Sequence, residues 1–283
     1  MKLRTIFVWT ALGVILLVAA ACAPITTTGE EASQPCGAIE ITQVDGKYDL
    51  DGCTLRIAVE NAYQPFNYID PDTGEAVGYD YDIFNAICEY LNCQPEYLEI
   101  SWDAMVAVMG GESSFETFDV GADGITITEE RAQHVDFSVP YIASQQVLLV
   151  RIEEDRFVEP EDFVADPNLI IGTQLGSTNY IAAEELVGAE RVTAYDQFGT
   201  AVQALINGDV DAVMIDNVAG IGYVGVNADR LKLTGGPVES EELGFIFGKG
   251  SQLFAPVNQA LAAMEESGEL EELFVKWFET DSE

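Results

Sequence analysis

Short β-type runs alternate with helix-type runs twice along this chain, and that alternation constrains the fold more than any other feature. The first series begins at Leu55 with LRIAV and continues through YDYDIFNAICEYL, PEYLEI, WDAMVAVM and FDVGADGI. The second begins near Leu169 with LIIGTQLG and continues through TNYIAAEELVG, RVTAY, FGTAVQALING and DVDAVMID. Such alternation is typical of βαβ units, which build a mostly parallel sheet flanked by helices. The sequence therefore predicts an α/β protein with two lobes of similar construction.

Each series contains a strand that leaves an aspartate at its carboxyl end. These residues are Asp123, after FDVGA, and Asp216, at the end of VDAVMID. In open α/β sheets, ligands bind outside the carboxyl ends of the strands. Two such sheets facing each other would therefore form a cleft with one carboxylate from each side. An aspartate at a strand end also serves commonly as a turn former or helix cap, and that interpretation stays open for each residue taken alone.

The last segment begins GFIFGKG and does not follow the strand–helix alternation of the second series. It adds one strand and then helices with an apolar period of 3.6 residues. If it returns to the first lobe, two chain crossings connect the lobes, near residues 149–153 and 238–243. Two strands that cross together form a hinge. We therefore expect residues 53–150 and 243–283 to form lobe 1 and residues 151–242 to form lobe 2.

Residues 1–22 have the features of an export signal. Lys2 and Arg4 precede an uncharged apolar run, and small residues lie directly before Cys22. Ala-x-Ala favours an ordinary signal peptidase, whereas a cysteine after small residues resembles a bacterial lipobox with a lipidated Cys22. We favour lipidation, and both interpretations stay open. The apolar run of about 16 residues is short for a membrane span. Residues 23–52 are predicted to be a flexible tether followed by a leader closed by a disulfide.

Four cysteines remain besides Cys22, and in an exported protein they suggest two disulfides with three possible connectivities. Proximity along the chain favours Cys36–Cys53 and Cys88–Cys93. A zinc site is not expected, because neither pair has a CxxC spacing and the single histidine, His134, lies far from both.

The chain carries 49 acidic and 12 basic residues, which gives a formal net charge of −37. This balance argues against nucleic acid as a partner. It would also repel an anionic membrane surface, so any membrane attachment would depend on the lipid anchor. Solubility or adaptation to salt is a sufficient explanation of the acidity without any role in ligand binding.

Several stretches together, in this order, resemble the extracellular solute-binding proteins of amino-acid ABC importers. They are LRIAVENAYQPFNYIDPDTGEAVGYDYDIFNAI, SWDAM, ADGITITEERAQHVDFSVPY, GTQLGSTNY, GDVDAVMID, and GFIFGKGSQLFAPVNQAL with KWF. The resemblance runs over residues 55–278 and implies a type II periplasmic-binding-protein fold whose two lobes meet at a two-strand hinge. It also implies an exported, monomeric subunit that delivers a free amino acid to an ABC permease. The loop at residues 110–117 is longer than the family pattern, and the leader at residues 36–53 lies outside it.

The resemblance assigns roles in binding the groups that every amino acid shares. Arg131 would form a charge-assisted fork with the ligand carboxylate, helped by the backbone and hydroxyl donors around it. The segment GSTNY opens a helix, whose first N–H groups suit an anion. Asp216 would receive the α-ammonium group. Residues assigned to these shared groups are Gly124, Thr126, Arg131, Ser177, Thr178 and Asp216. Taken alone, Arg131 would be interpreted as a surface cation paired with a neighbouring glutamate.

Specificity would come from residues carried over at strand ends and in the SWD turn, namely Glu60, Tyr63, Phe66, Trp102, Asp123 and Gln174. A cationic ligand side chain could lie between the aromatic faces with its charge against the carboxylates, so we favour arginine or lysine. A neutral polar ligand such as glutamine stays open if one acid faces solvent.

Some relatives of the fold are dehydratases, and Glu60 with Asp123 could act as an acid–base pair. GxSxG and cysteine–histidine pairs are absent from the sequence, so we expect no catalysis and no cofactor.

Overall fold

The computed structural model describes residues 33–279. The predicted export signal, Cys22 and most of the tether lie outside the described residues, and lipidation stays a prediction. Within residues 33–279, every helix is too short or too polar to cross a membrane.

Two five-stranded sheets dominate the described part of the chain, together with two small sheets of two and three strands. The strands are β1 (Thr42–Val44), β2 (Lys47–Asp49), β3 (Thr54–Val59), β4 (Ala62–Tyr63), β5 (Asn67–Ile69), β6 (Ala76–Val77), β7 (Gln94–Glu99), β8 (Val120–Gly121), β9 (Val135–Phe137), β10 (Ile142–Arg151), β11 (Ile171–Gln174), β12 (Val192–Tyr195), β13 (Ala212–Asp216), β14 (Leu231–Leu243) and β15 (Ile246–Gly248). The α-helices are α1 (Tyr79–Leu91), α2 (Trp102–Met109), α3 (Pro160–Ala165), α4 (Thr178–Val187), α5 (Phe198–Asn207), α6 (Asn217–Val226), α7 (Phe254–Ser267) and α8 (Glu269–Phe278).

The first lobe is built on the sheet with strand order β7-β3-β8-β15-β9. Strand β3 runs parallel to both β7 and β8, as the alternating pattern predicts. Its side chains Leu55, Ile57 and Val59 are fully buried, because a strand between two neighbours and under helices needs apolar residues. The C-terminal segment returns to this lobe, since β15 joins the sheet and α7 and α8 pack on α1.

The second lobe is built on the sheet with strand order β12-β11-β13-β10-β14. Strands β11, β12 and β13 are parallel, whereas β10 runs antiparallel to both β13 and β14. The expected first crossing near residues 149–153 is therefore placed too late. Residues 142–150, which we assigned to lobe 1, pair with the second sheet because the long apolar run of β10 is buried between β13 and β14. The chain crosses between β9 and β10, and it crosses back between β14 and β15.

Both expected cysteine pairs are disulfides in the structure, Cys36–Cys53 and Cys88–Cys93. The first joins the leader to the residue directly before β3. Gln252 of the loop before α7 reinforces this attachment, because its Nε2 donates to the carbonyl oxygen of Ile39 at 2.9 Å. The leader is therefore fastened to the first lobe.

Candidate functional site

A cavity lies between the two lobes, at the carboxyl ends of β8, β11 and β13. It is lined by residues of both lobes, namely Tyr63, Trp102, Asp123, Gly124, Thr126, Arg131, Gln174, Ser177, Thr178, Asn179, Phe198 and Asp216. The structure thus brings ten of the twelve expected ligand-binding residues around one cavity. The exceptions are Glu60 and Phe66, which lie directly behind the lining. This is the arrangement that two facing α/β sheets predict.

Arg131 brings a cation to one end of the cavity. Its Nη1 donates to the carbonyl oxygen of Thr126 at 3.0 Å, and its Nη2 donates to that of Gly176, in the other lobe, at 3.4 Å. The guanidinium carbon lies 5.7 Å from the centre of the Trp102 ring. Burial lowers the pKa of Arg131 to about 10, although the charges of nearby carboxylates act to raise it. The side chain therefore stays cationic at neutral pH. Two carbonyls and an aromatic face fix the guanidinium without neutralising it.

Hydroxyl groups and a helix start surround the same end. Ser177 caps α4, because its Oγ accepts from the Tyr180 N–H at 3.1 Å. Thr178 begins the helix, and its Oγ1 lies 3.0 Å from the Oγ1 of Thr126 in the first lobe. The first N–H groups of a helix and two hydroxyls beside an arginine form a site suited to a carboxylate.

Asp216 is a buried carboxylate at the end of β13. Its Oδ1 accepts from Asn179 Nδ2 at 3.1 Å, and its Oδ2 accepts from the phenol of Tyr63 in the opposite lobe. Sequence reasoning missed Asn179, although it belongs to the GSTNY segment that indicated the helix start. Asp216 has no salt bridge among the described residues, so a ligand ammonium would find an unneutralised partner there.

Asp123 lines another side of the cavity and is 3% exposed, and its neighbour Glu60, behind the lining, is 7% exposed. Gln174 Nε2 donates to both carboxylate oxygens of Glu60 at 3.2 Å. Asp123 accepts from Asn67 Nδ2 at 2.7 Å through Oδ1, while its buried Oδ2 has no donor among the described residues. Burial raises the pKa of Glu60 to about 7. Burial, reinforced by the charge of Glu60, raises the pKa of Asp123 well above its ordinary value. This pair therefore needs a proton or a cation.

Aromatic rings form one wall of the cavity. Tyr63 is stacked between Phe66 at 5.2 Å and Phe198 at 4.9 Å, so Phe66 supports Tyr63 from behind. Phe198 lines the cavity and was missed, because it begins a helix whose apolar pattern indicates core. Gly124 has a φ of +55°, and a Cβ there would lie 2.8 Å from the Tyr63 ring. Glycine is therefore required for the close approach of this ring.

Two further polar residues support the site without having been expected. Asn67 Nδ2 bridges Asp123 to the buried carboxylate of Asp80, at 2.9 Å from Asp80 Oδ2. Glu241 of β14 accepts from Thr178 Oγ1 at 3.2 Å and lies beside Asp216. The run ESEEL around Glu241 gives the signal of an exposed acidic surface, so nothing in the sequence separates this residue from its solvated neighbours.

Two α/β lobes, joined by two chain crossings and closed around an internal cavity, define a type II periplasmic binding protein. The chain matches the bacterial extracellular solute-binding proteins, family 3, over residues 55–280, and it belongs to that family. The family and the fold expected from the sequence are thereby confirmed.

The relatives that the chain resembles bind amino acids. It is 29% identical to the L-cystine-binding protein TcyJ of Escherichia coli strain K12, covering 81% of this chain and 84% of that protein. It is 30% identical to the L-arginine-binding protein of Pseudomonas aeruginosa, covering 80% and 88%. Its fold matches the crystal structure of the arginine-, lysine-, histidine-binding protein ArtJ of Geobacillus stearothermophilus with a TM-score of 0.71 at 33% identity, covering 80% and 96%.

Proposed function

We propose that this protein captures a free basic amino acid, arginine or lysine, between its lobes and presents it to the permease of an ABC importer outside the cytoplasm. The observation that carries the proposal is the distribution of charge in the cavity. One fixed cation, Arg131, lies at one end, and buried carboxylates lie beside the other contacts. A ligand with one carboxylate and two cationic groups complements this distribution.

The ligand carboxylate would bind at Arg131, because this end has the cation, the hydroxyls of Thr126 and Thr178, and the helix start. Its α-ammonium would then lie against Asp216, one strand away in the same lobe as the helix. Both contacts would be charge-assisted hydrogen bonds to largely buried groups, where they are stronger than on an exposed surface.

The side chain would extend towards Glu60 and Asp123 along the ring of Tyr63. Two buried carboxylates without a cation carry a desolvation cost, which the raised pKa of each reflects. A guanidinium or ammonium group between them relieves that cost and stacks favourably on the aromatic wall. An acidic side chain would add a third negative charge, so the site disfavours aspartate and glutamate.

Glutamine is the second candidate ligand, and the geometry of Gln174 favours it. Gln174 Nε2 already donates to Glu60 from across the cleft, so an amide group can satisfy this carboxylate without a full positive charge. If Glu60 and Asp123 share a proton, their combined charge is that of one carboxylate, and a neutral amide can bond to them. This candidate differs from the first in the expected effect of removing the acids.

Closure of the lobes would be driven by the ligand, since the contacts for its carboxylate come from both sides. Trp102 Nε1 donates to the Leu175 carbonyl at 3.1 Å across the cleft, and Thr126 meets Thr178 there. Small-angle scattering should show a smaller radius of gyration when the ligand is added to a population containing open molecules. An unchanged radius at saturation would argue against closure by a hinge.

A thermal-shift screen of the twenty amino acids and cystine tests the proposal. A ligand at about 100 times its Kd adds roughly 2.7 kcal/mol to the free energy of unfolding. Arginine or lysine should raise the Tm most, glutamine less, and aspartate and glutamate not at all. A screen in which no amino acid changes the Tm or binds by calorimetry would contradict the proposal.

A further inference from the structure

Glu241 is a half-buried carboxylate beside the cavity, and neither the expected ligand contacts nor a salt bridge among the described residues accounts for it. It lies on β14, the strand that leads back to the first lobe. Its Oε2 accepts from Thr178 Oγ1 at 3.2 Å and from Gln146 Nε2 at 3.3 Å. Its Oε1 is buried and has no donor among residues 33–279. Because Oε2 accepts hydrogen bonds and Oε1 accepts none, the carboxylate can still accept from another donor.

The neighbour of Glu241 is a second carboxylate. Asp216 lies within hydrogen-bond reach of Glu241, although both groups are acceptors when ionised. Such a contact is favourable only when one of the two carries a proton, because like charges at this separation repel strongly in a buried site. Burial, reinforced by the charge of Asp216, raises the pKa of Glu241 to about 9. At neutral pH the empty pair therefore holds one proton.

The charged groups around Glu241 are few. Among residues 33–279, Arg131 and the phenol of Tyr63 face it from the first lobe, and Asp216 faces it from β13. Glu185 of α4, with Glu239 and Glu242 of its own strand, lines a groove of about 910 Å³ on the hinge side. Arg131 is the single cation in this set, and it is committed to the ligand carboxylate in the proposed function. Glu241 and Asp216 together therefore lack one neutralising cation.

We infer that Glu241 is a further ligand-binding residue, which forms with Asp216 the subsite for the α-ammonium and releases its proton when the ammonium enters. The ammonium keeps its three protons and donates to both carboxylates. The proton leaves from the Glu241 carboxyl to water in the hinge-side groove, which Glu241 also lines. The inference rests on the proposed function and adds to it a proton exchange at the end of the cavity remote from the ligand side chain.

Calorimetry tests this inference through the number of protons released. Arginine is titrated at pH 7 in phosphate and in Tris, whose ionisation enthalpies differ, and the difference in heat gives the count. The ligand α-ammonium stays protonated at this pH, so it contributes no protons. Wild-type protein should release about one proton more than Glu241→Gln, which keeps an oxygen for Thr178 but cannot titrate.

Glu242→Gln is the matched control, because Glu242 is an exposed neighbour on the same strand. It should keep the wild-type proton count and Kd. Glu241→Gln should bind at least tenfold more weakly, since an ammonium partner is lost. If Glu241→Gln releases as many protons as wild type, the inference is overturned while the proposed function stands. If wild-type protein binds no amino acid, both are overturned.

Carbon-13 NMR of labelled glutamate side chains in wild-type protein asks the same question without a variant. Arginine should move the carboxyl signal of Glu241 from the protonated to the ionised position. A Glu241 signal that is already ionised without ligand, or that stays protonated with arginine bound, would overturn the inference.

Discussion

Gln174 in the second lobe donates from Nε2 to both carboxylate oxygens of Glu60 in the first lobe, at 3.2 Å each. The same amide nitrogen also donates to the carbonyl oxygen of Asp196 at 3.1 Å, which fixes its direction. In the proposed function, the side-chain subsite is therefore assembled from both lobes and is complete only when they are closed. Ligand selection and closure would then depend on the same contact.

The cation of Arg131 should be essential for binding any amino acid. Arg131→Ala removes a charge-assisted partner of the ligand carboxylate from a closed cavity, a loss of about 2–5 kcal/mol. We expect calorimetry to show a Kd at least tenfold higher. Arg230→Ala is a suitable control, because Arg230 is exposed and remote from the lining residues. A Kd for Arg131→Ala within about threefold of wild type would remove this residue from the site.

The acids Glu60 and Asp123 should select a cationic side chain. In the double variant Glu60→Gln with Asp123→Asn, both residues keep their shape and lose their charge. Arginine and lysine should bind at least tenfold more weakly, by analogy with other buried charge partners, while glutamine changes much less. The matched control is Glu99→Gln, an exposed acid at the end of β7. If the double variant keeps the wild-type ranking of ligands, the cationic subsite is wrong.

The empty protein should lose stability as pH rises from 5 to 8. Burial raises the pKa of Glu60 and of Asp80 to about 7, and that of Glu241 to about 9. The folded state therefore holds protons in this range that the unfolded chain has released, so the free energy of unfolding falls with increasing pH. Carboxyl groups with a lowered pKa, such as Asp136, change the free energy of unfolding only near and below pH 3.8, outside this range.

Thermal unfolding at pH 5 and pH 8 measures this effect. The Tm of the empty protein should be higher at pH 5, and saturating arginine should raise the Tm more at pH 8 than at pH 5, because protons compete with the ligand cation. The pH dependence should diminish in Glu60→Gln with Asp123→Asn, which removes two of the titrating groups. A Tm that rises from pH 5 to pH 8 without ligand would contradict the proposed protonation states.

Salt should stabilise this protein because its formal net charge is −37. Repulsion among exposed carboxylates opposes folding, and it is screened beyond about 10 Å at 0.1 M salt. We expect the Tm at pH 8 to rise steadily between low salt and about 0.3 M sodium chloride, and to rise less at pH 5, where part of the charge is neutralised. An unchanged Tm over this range would show that the acidic surface costs no stability.

The sequence predicts both sheets because each strand–helix series carries its own hydrophobic pattern. It also predicts the meeting of Arg131, Thr178 and Asp216, since family motifs in the right order place strand ends and a helix start at one cleft. Glu241 and Phe198 could not be predicted. The acidic run around Glu241 has the same pattern whether one of its side chains points inward or all are exposed. An apolar residue at a helix start, such as Phe198, has the same pattern in a core and in a cavity wall.

The position of the crossing was also beyond the sequence. The run IASQQVLLV of β10 indicates a buried strand, but its pattern does not say which sheet supplies its partners. Strand β10 belongs to the second sheet because it pairs with β13 and β14, and both strands lie far from β10 in the sequence. Long-range pairing of this kind depends on contacts that local periodicity does not contain.

A crystal structure with bound arginine would test the proposed orientation of the ligand in the cavity. We expect a closed molecule with the ligand carboxylate hydrogen-bonded to Arg131 and Thr178, the α-ammonium between Asp216 and Glu241, and the guanidinium at Glu60 and Asp123. A ligand bound outside the cavity, or in the cavity with its guanidinium at Asp216 and its carboxylate away from Arg131, would contradict it.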